Sequence, residues 1–282
     1  SYGMFARDKA EVINKGDIET SRTGSHGIVI ELNSTGVNEG TIETRGDGSI
    51  GMWAENNSSI SNYGGGSIKT LRDKAHGMVA EGQSTAVNRG SITTLGDEAH
   101  GIMAKNSTAE NSGLIKTDGV GSFGMWARDG GKIENRKPGS IITSSDDAIG
   151  MKADNESEAK NWGSIVTHGD KAHGMHAVKK SSIYNYGSDT IETWGDNALG
   201  MLAEDHSTVE NSGSIITHGV GSHGIVAKDL SDAENSGTIT TLGDGSHGMH
   251  GLAESTIRNL GSGEIVTSGD NSIGMIAEEI ST

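Results

Sequence analysis

The 282-residue sequence has no cysteine and a single proline. The first absence excludes a disulfide scaffold, a thiolate metal site and a cysteine nucleophile together. Aromatic residues supply only 4% of positions and hydrophobic residues 32%, too little for a thick core of large side chains. Basic residues are also few, 22 against 38 acidic, for a formal charge of −16. That balance argues against nucleic acid as a partner, because phosphates require a basic face. No apolar run approaches the ~20 residues of a membrane-spanning helix, and Ser1-Tyr2-Gly3-Met4 does not read as a signal peptide. No membrane insertion by this segment is expected. Glycine is what the chain has in excess, at 44 positions, and composition alone would place it near the disordered border.

The order of the residues points the other way. A Gly-[Met/Ile]-x-[Ala/small] element begins at Gly3, Gly27, Gly51, Gly77, Gly101, Gly124, Gly150, Gly174, Gly200, Gly224, Gly248 and Gly274. Each step carries one Asn, at Asn14, Asn38, Asn62, Asn88, Asn111, Asn135, Asn161, Asn185, Asn211, Asn235 and Asn259, and then an Ile-x-Thr. All but Asn135 are followed by x-Gly; there the chain reads Arg136-Lys137-Pro138-Gly139. Thr to the next repeat Gly is always seven residues, and Gly to Asn is eleven except for ten at Gly101. Asn to Thr is six, or eight after Asn62, Asn135, Asn185 and Asn259. Length variation is thus nearly confined to one corner, and an insertion of two preserves strand alternation.

Each repeat holds three short segments of period two, separated by Gly, Asn, Asp and Ser. This pattern predicts an all-β fold, a single-stranded parallel β-helix of about twelve coils of ~24 residues, three strands per coil, running over 1–282 as one continuous solenoid. Right-handed winding is expected, as for parallel crossovers generally. Matched positions then stack ~4.8 Å apart. The eleven Asn should form an amide ladder at a buried corner, and the Met and Ala columns should face the core. Six His share the position before the repeat Gly, namely His26, His76, His100, His173, His223 and His247, where a structural, inward or corner-packed role is favoured over metal binding. His173-Gly-Met-His176 and His247-Gly-Met-His250 mimic a ligand spacing, but strand alternation would keep residues three apart on opposite faces. No metal site and no cofactor is therefore expected. Eight Asp fall three after Thr, at Asp47, Asp73, Asp97, Asp146, Asp170, Asp196, Asp244 and Asp270. A local Asx turn bonding two residues on is favoured there over a calcium column.

Function in such a rod falls to its outer face. The residue between the inward Met and Ala is Phe5, Val29, Trp53, Val79, Met103 and Trp126 in the first six coils, an outward apolar stripe and a candidate interaction surface. Trp162, Tyr184, Tyr186 and Trp194 cluster in the seventh and eighth coils. Trp162 and Tyr186 each follow a ladder Asn, so their rings should stack and could hold a sugar. The repeats carry little of the local asymmetry that a catalytic site imposes, and no catalytic residue is assigned. The Ser at 58, 84, 107, 157, 181, 207, 231 and 255 form one structural column rather than supplying a nucleophile.

The repeated Ser-His-Gly-Met or Ser-Ile-Gly-Met, then x-Ala, then Asn-x-Gly-x-Ile-x-Thr-x-Gly-Asp resembles the passenger domains of bacterial autotransporters over Gly3 to Ala277. The resemblance implies a right-handed β-helix displayed on the bacterial cell surface or secreted, anchored through an outer-membrane barrel not present in this chain, so that these residues form a segment of a longer passenger. It further implies an adhesin or cell-aggregation rod whose partner is a host-cell receptor, a glycan or another copy of itself. A polysaccharide-binding or polysaccharide-degrading β-helix protein is the alternative, and a passive stalk the third.

Overall fold

In the computed structural model, residues 1–187 and 189–279 are described, so Ser188 and the last three residues of the expected 1–282 solenoid lie outside the described residues. Among the described residues there are 34 strands and no helix. The first coil consists of β1 (Tyr2–Ala6), β2 (Glu11–Asn14) and β3 (Asp17–Thr20). Each strand pairs only with its counterparts one coil away, giving three parallel sheets of twelve, eleven and eleven strands. The register is that of the repeat: Met78 pairs with Met52 and Ile102, Asn88 with Asn62 and Asn111, Thr94 with Thr70 and Thr117. The β-solenoid read from the periodicity is the observed fold.

The corners explain the glycine and the polar residues. Leaving the first sheet, the chain takes paired left-handed residues such as Asp8 and Lys9 (φ 60° and 66°) or Asn56 and Asn57 (φ 55° and 61°). Asn and Asp tolerate this region better than most L residues. The corner from the second sheet to the third absorbs the two-residue insertions. Leaving the third sheet, one left-handed residue recurs four after Thr, as at Gly24, Gly48 and Gly121.

The core is one column of stacked small and medium side chains, in which Met52, Met78, Met125, Met151, Met175, Met201 and Met249, with Ile28, Ile102 and Ile225, are fully buried. They meet the Ala of the same strand and the Ile of the third sheet. The Thr column is buried with them, and most of its hydroxyls donate to the carbonyl five residues on, as Thr94 Oγ1 to Ala99 O at 2.7 Å.

The expected Asn ladder is continuous. Each Nδ2 donates to the Oδ1 of the next coil at 2.7–2.9 Å, from Asn14 to Asn38 and on to Asn259. All ten bonds point the same way along the rod. The Ser column is nearly as regular, a backbone N–H donating to the Oγ one coil on, as Ser58 to Ser84 at 3.1 Å and Ser207 to Ser231 at 3.0 Å, with one break where Gly131 takes the position between Ser107 and Ser157.

The repeat glycine corrects the expected alternation. A Cβ on Gly27 would lie 2.4 Å from Ile42 Cγ2 and 2.5 Å from Gly51 O, so this position faces inward and only glycine fits. The next residue, Ile28, also faces inward and is fully buried. Two successive inward positions reset the pleat, and the residue before Gly therefore lies on the same outer flank as the residue two after it. His26 accordingly packs against Trp53, with ring centroids 5.2 Å apart and planes at 74°.

Candidate binding surface

The outer flank of the first sheet carries two side-by-side columns, the His/Ile/Phe/Leu column before Gly and the apolar stripe. The stripe is not the open surface its parity predicts. Val29, Val79 and Met103 are buried, Trp53 and Trp126 are half-buried, and Phe5 at 45% is the exposed member. Ile50, Val79 and Met103 form a second hydrophobic cluster under Trp53 and Trp126. The cause is the pleat reset: the column before Gly lies beside the stripe and covers it, as His100 and Phe123 do with Trp126, at 5.0 and 5.6 Å. Most of the stripe is a structural ridge, and the indole Nε1 of Trp53 and of Trp126 has no hydrogen-bond partner in it.

The His column is corner-packed. Every member accepts at Nδ1 from the backbone N–H one coil on: Ile50 to His26, His100 to His76, Phe123 to His100, Leu199 to His173, His247 to His223 and Ile273 to His247, at 2.9–3.1 Å. An accepting Nδ1 requires the neutral ring with its proton on Nε2. Burial pushes His76 down to about 4, and His173, next to His176, down to about 3.

The same reset overturns the expectation that residues three apart in His-Gly-Met-His must diverge. His223, His247 and His250 each offer a ring nitrogen, and these lie within 4.8 Å of one another. His173 and His176 likewise meet, with centroids 6.1 Å apart. His176 Nε2 contacts Glu204 Oε2 at 3.0 Å, and that contact, with help from Lys228, holds the Glu204 carboxyl down to about 2.

The Asp column does not form the local turn bond expected of it. Its Oδ1 atoms accept from the backbone one coil on, as Asp73 from Asp97 N–H at 3.0 Å, Asp170 from Asp196 at 2.9 Å and Asp244 from Asp270 at 2.8 Å. A flat stack offers a donor one coil away in better line than the donor two residues on.

The aromatic cluster divides in two. Trp194 stacks on His218 at 3.7 Å with planes 3° apart and is 47% exposed. It belongs to the column after Thr. Trp162 and Tyr186 stack as expected, at 5.2 Å and 27°, and Tyr184 lies parallel to Tyr186 at 5.7 Å. Arg136, Trp162 and Tyr186 each follow a ladder Asn and form one row. Their backbone N–H groups donate to the carbonyls of Asn111, Asn135 and Asn161 at 2.7–2.8 Å, so the row is fixed to the amide ladder. A cleft of about 410 Å³ opens there, lined by Arg136, Lys137 and Trp162. Glu134 and Glu110 hold the Arg136 guanidinium at 2.6 and 3.5 Å, and Lys137 Nζ lies 3.3 Å from Asp189. Periodicity did not mark Arg136 and Lys137 as site residues, although the signal was present: they are the one departure from Asn-x-Gly.

A family model described as the BigA third pectate lyase-like domain matches residues 1–89 and 120–282. The chain belongs to this family. No curated protein and no solved structure matches it significantly. "Pectate lyase-like" describes the β-helix architecture and assigns no chemistry to any residue of this BigA-like domain.

Proposed function

We propose that this BigA-like solenoid is a non-catalytic adhesion module of a bacterial surface protein and that it binds a glycan through the row Arg136, Trp162 and Tyr186. BigA itself is an autotransporter-like adhesin, and the repeat of this chain resembles autotransporter passengers. Display at the cell surface through an outer-membrane barrel elsewhere in the protein is part of the same reading. The observation that carries it is the stacked Trp162–Tyr186 pair beside a cleft edged by Arg136 and Lys137. Sugar rings present apolar C–H faces to aromatic rings and hydroxyls to the charged and amide groups around them. A row clamped to a hydrogen-bonded ladder loses little conformational freedom on binding. Binding rather than catalysis is favoured because the repeated carboxylates serve the backbone, as in the Asp column. The apolar ridge is mostly consumed by its own packing, which weighs against lateral protein contact along it.

A glycan array probed with the wild-type chain, Trp162→Ala, Tyr186→Ala and Trp194→Ala tests this. Loss of an aromatic anchor should weaken binding by about 1–2 kcal/mol, roughly five- to thirtyfold, for the first two variants and not the third. Binding that survives both Trp162→Ala and Tyr186→Ala would move the adhesive surface elsewhere, and release of reducing sugar by the wild type would establish the degrading alternative.

A further inference from the structure

We propose that His223, His247 and His250 form a site for a divalent transition-metal ion of the zinc class. One ring nitrogen of each lies within 4.8 Å of the others, and all three side chains are half-buried and reachable from solvent. The donor atoms follow from the bonds already made. His223 Nδ1 accepts from His247 N–H at 2.9 Å and His247 Nδ1 from Ile273 N–H at 3.1 Å, leaving Nε2 of each ring. His250 Nε2 contacts Glu278 Oε2 at 3.2 Å, leaving Nδ1. A histidine ligand whose second nitrogen is held by a carboxylate has its ring orientation and tautomer fixed and its basicity raised. Three imidazoles with a fourth position open to water suit zinc.

The rings are nearly placed for this. His223 and His247 are parallel at 4.8 Å, and His250 stands edge-on to both, at 5.1 and 5.4 Å with planes 89° and 85° apart. A tetrahedral ion with Zn–N of about 2.0–2.1 Å needs nitrogens about 3.3 Å apart. The two stacked rings are held at Nδ1, so a tilt about that end draws their Nε2 atoms together.

The molecule contains its own comparison. His76 and His100 make the same stack, 4.8 Å and 6°, with the same Nδ1 bonds. Their neighbours across the ridge are Val79 and Met103, so that pair has no third donor. His173 has His176 beside it, but Ile149 and Leu199 occupy its column in the adjoining coils. Among the described residues only the coils of His223 and His247 combine a stacked pair with a third imidazole.

The test is calorimetric titration of the full chain with Zn²⁺ at neutral pH, alongside His250→Val, His247→Leu and His76→Leu. The first two take residues that the same columns already hold at Val226 and Leu199, so the coil geometry tolerates them. One ion per chain is expected, with affinity falling on the order of a hundredfold or more in His250→Val and His247→Leu, beyond the 10- to 100-fold typical of losing an outer partner. His76→Leu should leave the binding unchanged. Zn²⁺ should also raise the melting temperature of the wild type and not of His250→Val, because an ion that binds only the folded state stabilises it. No binding, binding that His250→Val retains, or binding that His76→Leu abolishes would overturn the site.

Discussion

A buried histidine that accepts a backbone hydrogen bond must stay neutral, and that requirement gives the His76–His100 pair a pH signature. Burial pushes His76 down to about 4 and His100 well below its ordinary range, with the neighbouring His76 adding to the effect on His100. In the unfolded chain both rings titrate near 6.5. Between these values the unfolded state binds protons that the folded state refuses, so stability is complete above pH 6.5 and declines as pH falls toward about 4. Urea midpoints measured from pH 7.5 to 4 should fall across that window, and His76→Leu should flatten the slope. Imidazole ¹⁵N spectra should show His76 neutral with its proton on Nε2 at pH 5.5; ordinary titration there would refute the buried, accepting ring.

At the scale of a strand and its column, the Asn ladder provides the sharpest contrast between neighbouring residues. Asn111 accepts from Asn88 at 2.8 Å, donates to Asn135 at 2.8 Å and to Gly113 O at 3.2 Å, and is fully buried. Asn111→Ala strands an amide on each side and should destabilise by ~1–3 kcal/mol. Ser112 contributes its backbone N–H to the same stack, so Ser112→Ala should change the unfolding midpoint little. Equal effects would mean that the register is wrong. The ladder, the core columns and all three sheets were legible because identical residues recur at fixed spacing, and stacking turns recurrence directly into contact. The outer flank was less legible. Alternation carries from one residue to the next only while the pleat is unbroken, and the break falls at a glycine, whose side of the sheet no side chain announces. That one slip moved His26 and its column onto the flank of Trp53, buried Val79 and Met103, and brought His250 to His223 and His247. The proposed binding row was half legible: Trp162 and Tyr186 share a position that any alignment of repeats exposes, whereas Arg136 and Lys137 became relevant only once the stacked coils placed them beside Trp162.

For the molecule as a whole, each coil touches only its neighbours, so stability is close to a sum over coils and the interfaces between them. Deleting Gly27–Ile50, one 24-residue period, would join His26 to Gly51 and bring Asn14 under Asn62 with the sheets in register. The shortened chain should keep the parallel-β circular dichroism spectrum and melt only slightly earlier, whereas removal of 12 residues from the same stretch should put the first coil out of register, so that it unfolds and is cleaved by protease while the coils beyond it still melt cooperatively. The one-way amide ladder and the N–H bonds to the Ser, Asp and His columns all run along the rod. Under tension between its two ends the protein therefore behaves as springs in series, each coil interface bearing the full load through many bonds in parallel. When one interface yields, a coil of ~24 residues extends by roughly 80 Å and relieves its neighbours before they part. A rod of this kind placed between two cells under flow absorbs mechanical work in steps rather than failing at once.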